Sequence, residues 1–406
     1  MKKMRFVVSV ALVMVLCCSI AACGGGSGTP APATPAASTP APAPAPAPTP
    51  APAPAPSTPA PSAPAPAPAP VAPAPAANDL STRPWLAGLA CGNFSDTHLT
   101  NVRRLYNRNA EQRFHFDVRM HDGKSDAGVM MDGWMNFITQ GVDVVVSTNS
   151  ISGQFDHIID TFKPVGIPFI NYNGNSPSDQ DLANYDQLYF ISSAAEESGV
   201  IKGEMAAKYW KENPKSDRNG NGKMDYVMLM GSPGNYDTIM RTAESIRVVK
   251  EAGIQVNCVA EQFAEFNLAK GQDVMASIIA ANRDDIEYVF ANNDDMAIGA
   301  ISALKAAGFY TSPETFIPVF GVDATAAGQE MIKGGWMVGS AFINPIAMSD
   351  AMAVVTQLLR EEREVTTENL NSYEWMPAHN LQVVNRRIWT HYKPITIDNL
   401  KDASLD

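Results

Sequence analysis

One stretch of this chain limits its folding more than any other. Twenty of its 31 prolines lie between Pro30 and Pro75, mostly as Ala-Pro repeats, in a low-complexity run from Gly24 to about Ala77. Proline fixes φ and has no N–H, so such a run cannot build a ladder or bury a core, and it favours extended polyproline II. At about 3.1 Å per residue the run would reach on the order of 150 Å. This is the composition of a stiff spacer, and it confines the globular fold to Asn78–Asp406.

What precedes the spacer reads as a targeting signal. Lys2, Lys3 and Arg5 form a basic start, and Phe6–Leu16 is an apolar run too short for a comfortable membrane span. Ile20-Ala21-Ala22-Cys23 resembles a bacterial lipobox, which makes Cys23 the expected site of lipidation. The plainer reading is secretory cleavage after Ala22. Either way the body is expected outside the cytoplasm, in the periplasm or on the cell surface. With Cys17 and Cys18 in the signal, Cys91 and Cys258 remain, both in apolar, strand-like surroundings, and two free buried thiols are expected. The net charge of -12 argues against nucleic acid or an anionic membrane surface as the partner.

From Asn78 onward, short apolar runs alternate with helical patterns. Val142–Val146, Pro168–Ile170, Tyr226–Met230, Tyr288–Phe290 and Pro318–Phe320 read as buried parallel strands. Met240–Ala252 and Asp295–Ala307 have helical spacing and stop at Gly253 and Gly308. Repeated βα units predict an α/β fold of doubly wound parallel sheets, and the length predicts two lobes.

Three stretches narrow this further: Gly231-Ser-Pro-Gly-Asn-Tyr-Asp237, Phe290-Ala-Asn-Asn-Asp-Asp-Met-Ala-Ile-Gly-Ala300 and Pro318-Val-Phe-Gly-Val-Asp323. In this order they resemble the periplasmic sugar-binding proteins of the ribose and galactose type, most closely the galactose/glucose-binding branch. The resemblance runs from about Leu86 to near the C-terminus. It implies a type I periplasmic-binding-protein fold, with two lobes joined by a three-stranded hinge and ligand in the cleft. The expected segments are a signal (1–22), an anchored linker (23–78), the N-lobe (79–191), the C-lobe (192–343), a return to the N-lobe (344–378) and a C-terminal C-lobe segment (379–406). Carried over position by position, Asp96, Asp237, Arg241, Asn293 and Asp323 fall where the family contacts hexose. Asn235 stands at a family His contact, and Phe266 at one of two aromatic stacking positions. The other stacking position holds His98, and Glu265 replaces an apolar residue. Family asparagines fall on Thr148 and Ile343, with Asn149 and Asn344 beside them as candidate contacts. Each residue also has a bland reading, since Asp237 and Asp323 could simply cap helices.

A second motif, Asp217-Arg-Asn-Gly-Asn-Gly-Lys-Met-Asp225, has oxygen donors at alternate places: Asp217, Asn219, Asn221 and Asp225, with the Lys223 carbonyl between the last two. Gly222 stands where a calcium loop turns sharply. The twelfth place is Met228, which excludes a true EF-hand. The resemblance implies a distant carboxylate instead, and Glu287 occupies that position. A structural Ca²⁺ is expected here, the alternative being a metal-free Gly/Asn/Asp turn.

The chain is therefore expected to bind a glucose- or galactose-like monosaccharide and deliver it to a membrane ABC permease and to a chemoreceptor, as a monomer. The alternative keeps the fold but takes a nucleoside, pentose, inositol or other polyol. A hydrolase is disfavoured by the lack of G-x-S-x-G and HExxH patterns. A sugar-responsive repressor would need a basic helix-turn-helix where the signal and spacer stand.

Overall fold

The computed structural model describes residues 83–149 and 155–403. The signal, Cys23, the linker and the Asn149 side chain lie outside the described residues. Among the described residues thirteen strands follow in order: β1 (Leu86–Cys91), β2 (Asp117–Asp122), β3 (Val144–Asn149), β4 (Phe169–Gly174), β5 (Leu188–Ser192), β6 (Met224–Met230), β7 (Val256–Phe263), β8 (Tyr288–Ala291), β9 (Val319–Asp323), β10 (Gly339–Phe342), β11 (Gln382–Val384), β12 (Arg387–Trp389) and β13 (Lys393–Thr396). They form two sheets. The first runs β11-β12-β5-β4-β3-β1-β2 and the second β13-β10-β9-β8-β6-β7. Within each lobe the first five strands share the doubly wound order 2-1-3-4-5, all parallel. Each sheet therefore has a switch point beside its first strand, where parallel α/β sheets open a crevice at the strands' carboxyl ends.

The predicted strands are present with shifted edges. The run expected from Val142 pairs only from Val144, because Asp143 turns the chain there: its carboxylate takes Arg83 and the Leu86 amide. Buried aliphatic and aromatic side chains cover the sheets, among them Leu89, Val146, Ile170, Met228, Phe290 and Phe320, all fully inaccessible. Burial of this kind is worth roughly 1.5–3 kcal/mol per large side chain.

Two expectations are corrected. The return to the first lobe does not end at residue 378. Asn385 and Arg386 adopt positive φ and turn a hairpin whose second strand, β12, extends the β5 edge, with Ile388 closing the core. Residues 382–389 thus belong to the first sheet, and only β13 joins the second, antiparallel to β10. Cys91 is buried as expected, but Cys258 is exposed. It lies on the edge strand β7, beside a register shift against β6, where the ladder cannot hold its side chain inward.

Three crossings join the lobes, after β5, after β10 and after β12. The first and third are tied together by a Ser193–Thr390 hydroxyl pair at 2.6 Å and by the Thr390 amide on the Ser192 carbonyl at 2.9 Å.

Candidate ligand-binding cleft

The carboxyl ends of the strands in both lobes border one cavity of about 140 Å³. From the first lobe come Asp96 and His98 after β1, Ser125 and Asp126 after β2, Thr148 on β3 and Asn173 on β4. From the second come Asn235, Asp237 and Arg241 after β6, Glu265 and Phe266 after β7, and Asp323 at the end of β9.

Local structure explains each position. Asp96 caps the helix Thr97–Asn109, accepting from the Leu99 amide at 2.8 Å. Asn235 caps Tyr236–Glu251 through the Thr238 amide at 2.9 Å. That places Asp237 in the first helical turn and Arg241 one turn later, paired at 3.3 Å with both side chains buried. Arg241 also donates to the Asn292 carbonyl at 2.7 Å and to the Tyr392 hydroxyl at 3.1 Å. Burial works against its charge, but Tyr392, Asp237 and Asp323 together hold the guanidinium above its ordinary pKa. Glu265 and Phe266 both sit at φ +54°, a left-handed bend that turns Phe266 back toward Gly231. A Cβ on Gly231 would stand 2.0 Å from the Phe266 ring, so only glycine fits there. Asp323 has φ +105° and is 5 % exposed. Burial drives its carboxyl well above the ordinary range; Arg241 opposes this, and Asp96 adds to it. Burial likewise raises Asp96 to about 7 and lowers His98 to about 3, so the imidazole is neutral near neutral pH.

Other expected contacts sit differently. Asn293 caps the helix Asp294–Ala306 and reaches the Phe266 carbonyl at 3.4 Å, and it is not among the residues lining the cavity. Asn344 caps Pro345–Arg360, accepting from the Ile346 and Ala347 amides, and it also stands off the cavity lining. Its neighbour Ile343 is fully buried in the core. Thr148 does line the cavity, with its Oγ1 buried and unpartnered. Asn93, Ser125, Asp126 and Asn173 line it too, and sequence reasoning missed them: the first three lie on loops without helical or strand periodicity, and Asn173 stands at the carboxyl end of β4, past the apolar run that marks the strand.

The lobes also touch directly. Asp295 accepts from the Thr97 amide at 3.1 Å and from its hydroxyl at 2.8 Å. Lys202 is fully buried, its Nζ donating to the Ala291 carbonyl and to Asn292 Oδ1.

In the Asp217–Asp225 loop, Gly220 and Gly222 have positive φ, as a tight oxygen-bearing turn requires. The Asn219 and Asn221 amides donate to Asp225 Oδ2 at 2.6 and 2.7 Å, and Glu287 Oε1 accepts from the Arg218 and Asn219 amides. Asp217 Oδ1 is buried without a partner. The donors suit a hard cation in kind, yet among the described residues no group of three or more His, Cys, Asp and Glu side chains gathers as a metal cluster.

Comparison with known proteins agrees with the architecture. The periplasmic binding protein domain family matches residues 89–363, and the chain belongs to it. The D-galactose/methyl-galactoside binding periplasmic protein of Haemophilus influenzae is 26 % identical over 78 % of this chain and 90 % of its own length. A xylitol-binding protein of Mycolicibacterium smegmatis is 26 % identical over 66 % of this chain and 73 % of its own. A Mycobacterium smegmatis crystal structure in complex with β-D-fucofuranose superposes with a TM-score of 0.64 at 22 % identity, covering 79 % of this chain and 93 % of that one. Among the described residues no helix is long and apolar enough to cross a membrane.

Proposed function

We propose that this chain is a lipid-anchored extracytoplasmic receptor, held by Cys23, that closes on a glucose- or galactose-like monosaccharide and hands it to an ABC permease and a chemoreceptor. The observation that carries the reading is the single cavity into which one lobe sends Asp96 and His98 and the other sends Asn235, Asp237, Arg241, Phe266 and Asp323. Sugar hydroxyls both donate and accept, and carboxylates, an amide and a guanidinium answer them with directional, charge-assisted bonds. An aromatic face covers the apolar side of a ring. Binding at a cleft between hinged lobes selects the closed form, which a membrane partner can read. The reading gives these residues no catalytic step.

A second reading, in which the ligand is a nucleoside, pentose, inositol or other polyol, is favoured by His98 at a stacking position and by Glu265 beside Phe266. Thermal shift against hexoses, pentoses, inositols and nucleosides separates the two. Ligand far above its Kd raises stability by several kcal/mol, and a response confined to non-hexoses excludes the first reading. A structural Ca²⁺ in the Asp217–Asp225 loop, with Glu287, belongs to the same proposal, supported by the open Asp217 Oδ1 and the alternating oxygens. Chelation should then lower the Tm, and Glu287→Gln should mimic it; a chelator-insensitive melt removes calcium from the reading. Cys23→Ser should abolish partitioning into detergent.

A further inference from the structure

The cleft is unbalanced in charge. Five carboxylates line it, Asp96, Asp126, Asp237, Glu265 and Asp323, against one guanidinium, Arg241. Arg241 pairs with Asp237, and Lys270 pairs with Glu265. Asp126 is occupied as a helix cap by the Val129 amide at 2.9 Å. Asp96 satisfies one oxygen as a cap, and the other has no partner among the described residues. Asp323 goes further. It is 95 % buried, lines the cavity, and among the described residues accepts no hydrogen bond and forms no salt bridge; Arg241 acts on it only from beyond salt-bridge distance, while paired with Asp237. The nearby buried cation, Lys202, spends its Nζ on Ala291 and Asn292.

A buried carboxylate with no direct cation or hydrogen-bond partner is unfavourable. A neutral polyol offers it hydroxyl hydrogens but no charge. A primary ammonium offers three donors and a full positive charge.

We propose that the cleft selects an amine-bearing polyol, of the amino-sugar or amino-cyclitol class, whose ammonium is held by Asp323 together with Asp96. The inference rests on the polyol reading above and names the ligand class within it. Asp96 comes from the first lobe and Asp323 from the second, so an ammonium between them attracts both lobes and favours closure. Without it Asp96 adds to the rise of Asp323, and burial holds both carboxyls toward their protonated forms. The raised pKa of both groups fits this shortage of positive charge. The charged groups facing Asp96 are Asp295 and Arg241; those facing Asp323 are Arg241, Asp96, Asp294, Asp295 and Lys202. His98, beside them, is neutral.

Calorimetry on the full chain at pH 7 with matched pairs tests the assignment: galactose against galactosamine, glucose against glucosamine, and myo-inositol against an amino-inositol. The amine should bind at least ten-fold tighter than its hydroxyl counterpart in one pair. Asp323→Asn should then weaken the amine at least ten-fold more than the neutral partner, and Asp96→Asn serves where the first variant fails to fold. Equal or tighter binding of the neutral member in every pair that binds overturns the amine inference and leaves the polyol reading standing. An amine preference that survives both variants overturns the assignment to Asp96 and Asp323. No binding by any member of any pair overturns the inference and removes hexoses and inositols from the polyol reading.

Discussion

The two lobes share one strand order but prepare the cleft in opposite ways. In the second lobe most polar atoms at the cleft are already engaged, Asp323 and the buried, unpartnered Arg241 Nε being the exceptions. Arg241 is held by Asp237, Asn292 and Tyr392; Asn292 is tied to Thr242 at 2.9 Å and to Lys202; and Phe266 and Asp323 are fixed by left-handed backbone. In the first lobe, His98 Nε2 and Thr148 Oγ1 are buried without partners, and so are Asn171 Oδ1 and Asn175 Oδ1 nearby. Leaving such atoms unmet costs about 1–3 kcal/mol each. The second lobe is thus a rigid reader, and the first is a face whose needs are met only by ligand or by opening to water. Pre-organising one side lowers the ordering cost of binding and leaves the energy of closure to the other.

Breaking the reader should have the largest effect. Arg241→Ala removes the centre of the second-lobe network and should weaken ligand binding by more than 100-fold, about 3 kcal/mol or more, together with a fall in Tm, read by calorimetry and thermal melting. Asp237→Ala should cost nearly as much affinity with less loss of stability, and unchanged affinity in both variants would remove the cleft assignment.

Gly231→Ala probes the shape of the same lobe. Its methyl group meets the Phe266 ring, so Phe266 must move, at a cost of about 1–3 kcal/mol and roughly ten-fold in affinity. A variant binding like the parent would show that Phe266 is not held in place by that contact.

The first lobe should show itself through pH. Burial raises Asp96 from 3.8 to about 7, so the folded apo protein holds a proton that the unfolded chain has already released. The contribution is full below the unfolded value and is lost as pH rises from about 4 to 7, with a slope below ~1.4 kcal/mol per unit. Asp96→Asn should flatten the apo Tm profile over that window; a parent-like slope would assign the titration to other groups. The smallest effect expected is that of Thr97→Val. It removes the hydroxyl bond to Asp295 across the cleft but keeps the amide bond, so affinity should fall only a few-fold, with a shift toward open forms in solution scattering.

Much of this was legible in the chain because it depends on local order. The spacing of βα units, the glycine stops after the helices, and the motifs ending at Asp237, spanning Asn292–Asn293 and ending at Asp323 are short-range patterns, and short-range patterns survive without a structure. Asp237 and Arg241, four apart, could be placed on one helix face from their numbers alone. The sequence could not say that Asn293 and Asn344 spend their side chains as helix caps off the cavity lining, because capping and ligand contact use the same residue types. Nor could it separate buried Cys91 from exposed Cys258, since both sit in apolar runs and only the edge position of β7 and its register shift turn the second one out. The hairpin that carries residues 382–389 back onto β5 is a long-range pairing with no local signature beyond its turn. The charge balance of the cleft is likewise tertiary. Asp96 and Asp323 are 227 positions apart by their numbers, and only the closing of two sheets against each other brings them to one cavity with a single guanidinium. The sequence by itself determined the class of fold and most of the polar groups offered to a ligand; the tertiary structure decided which of them remain unpaired, because pairing is a property of the space between the lobes.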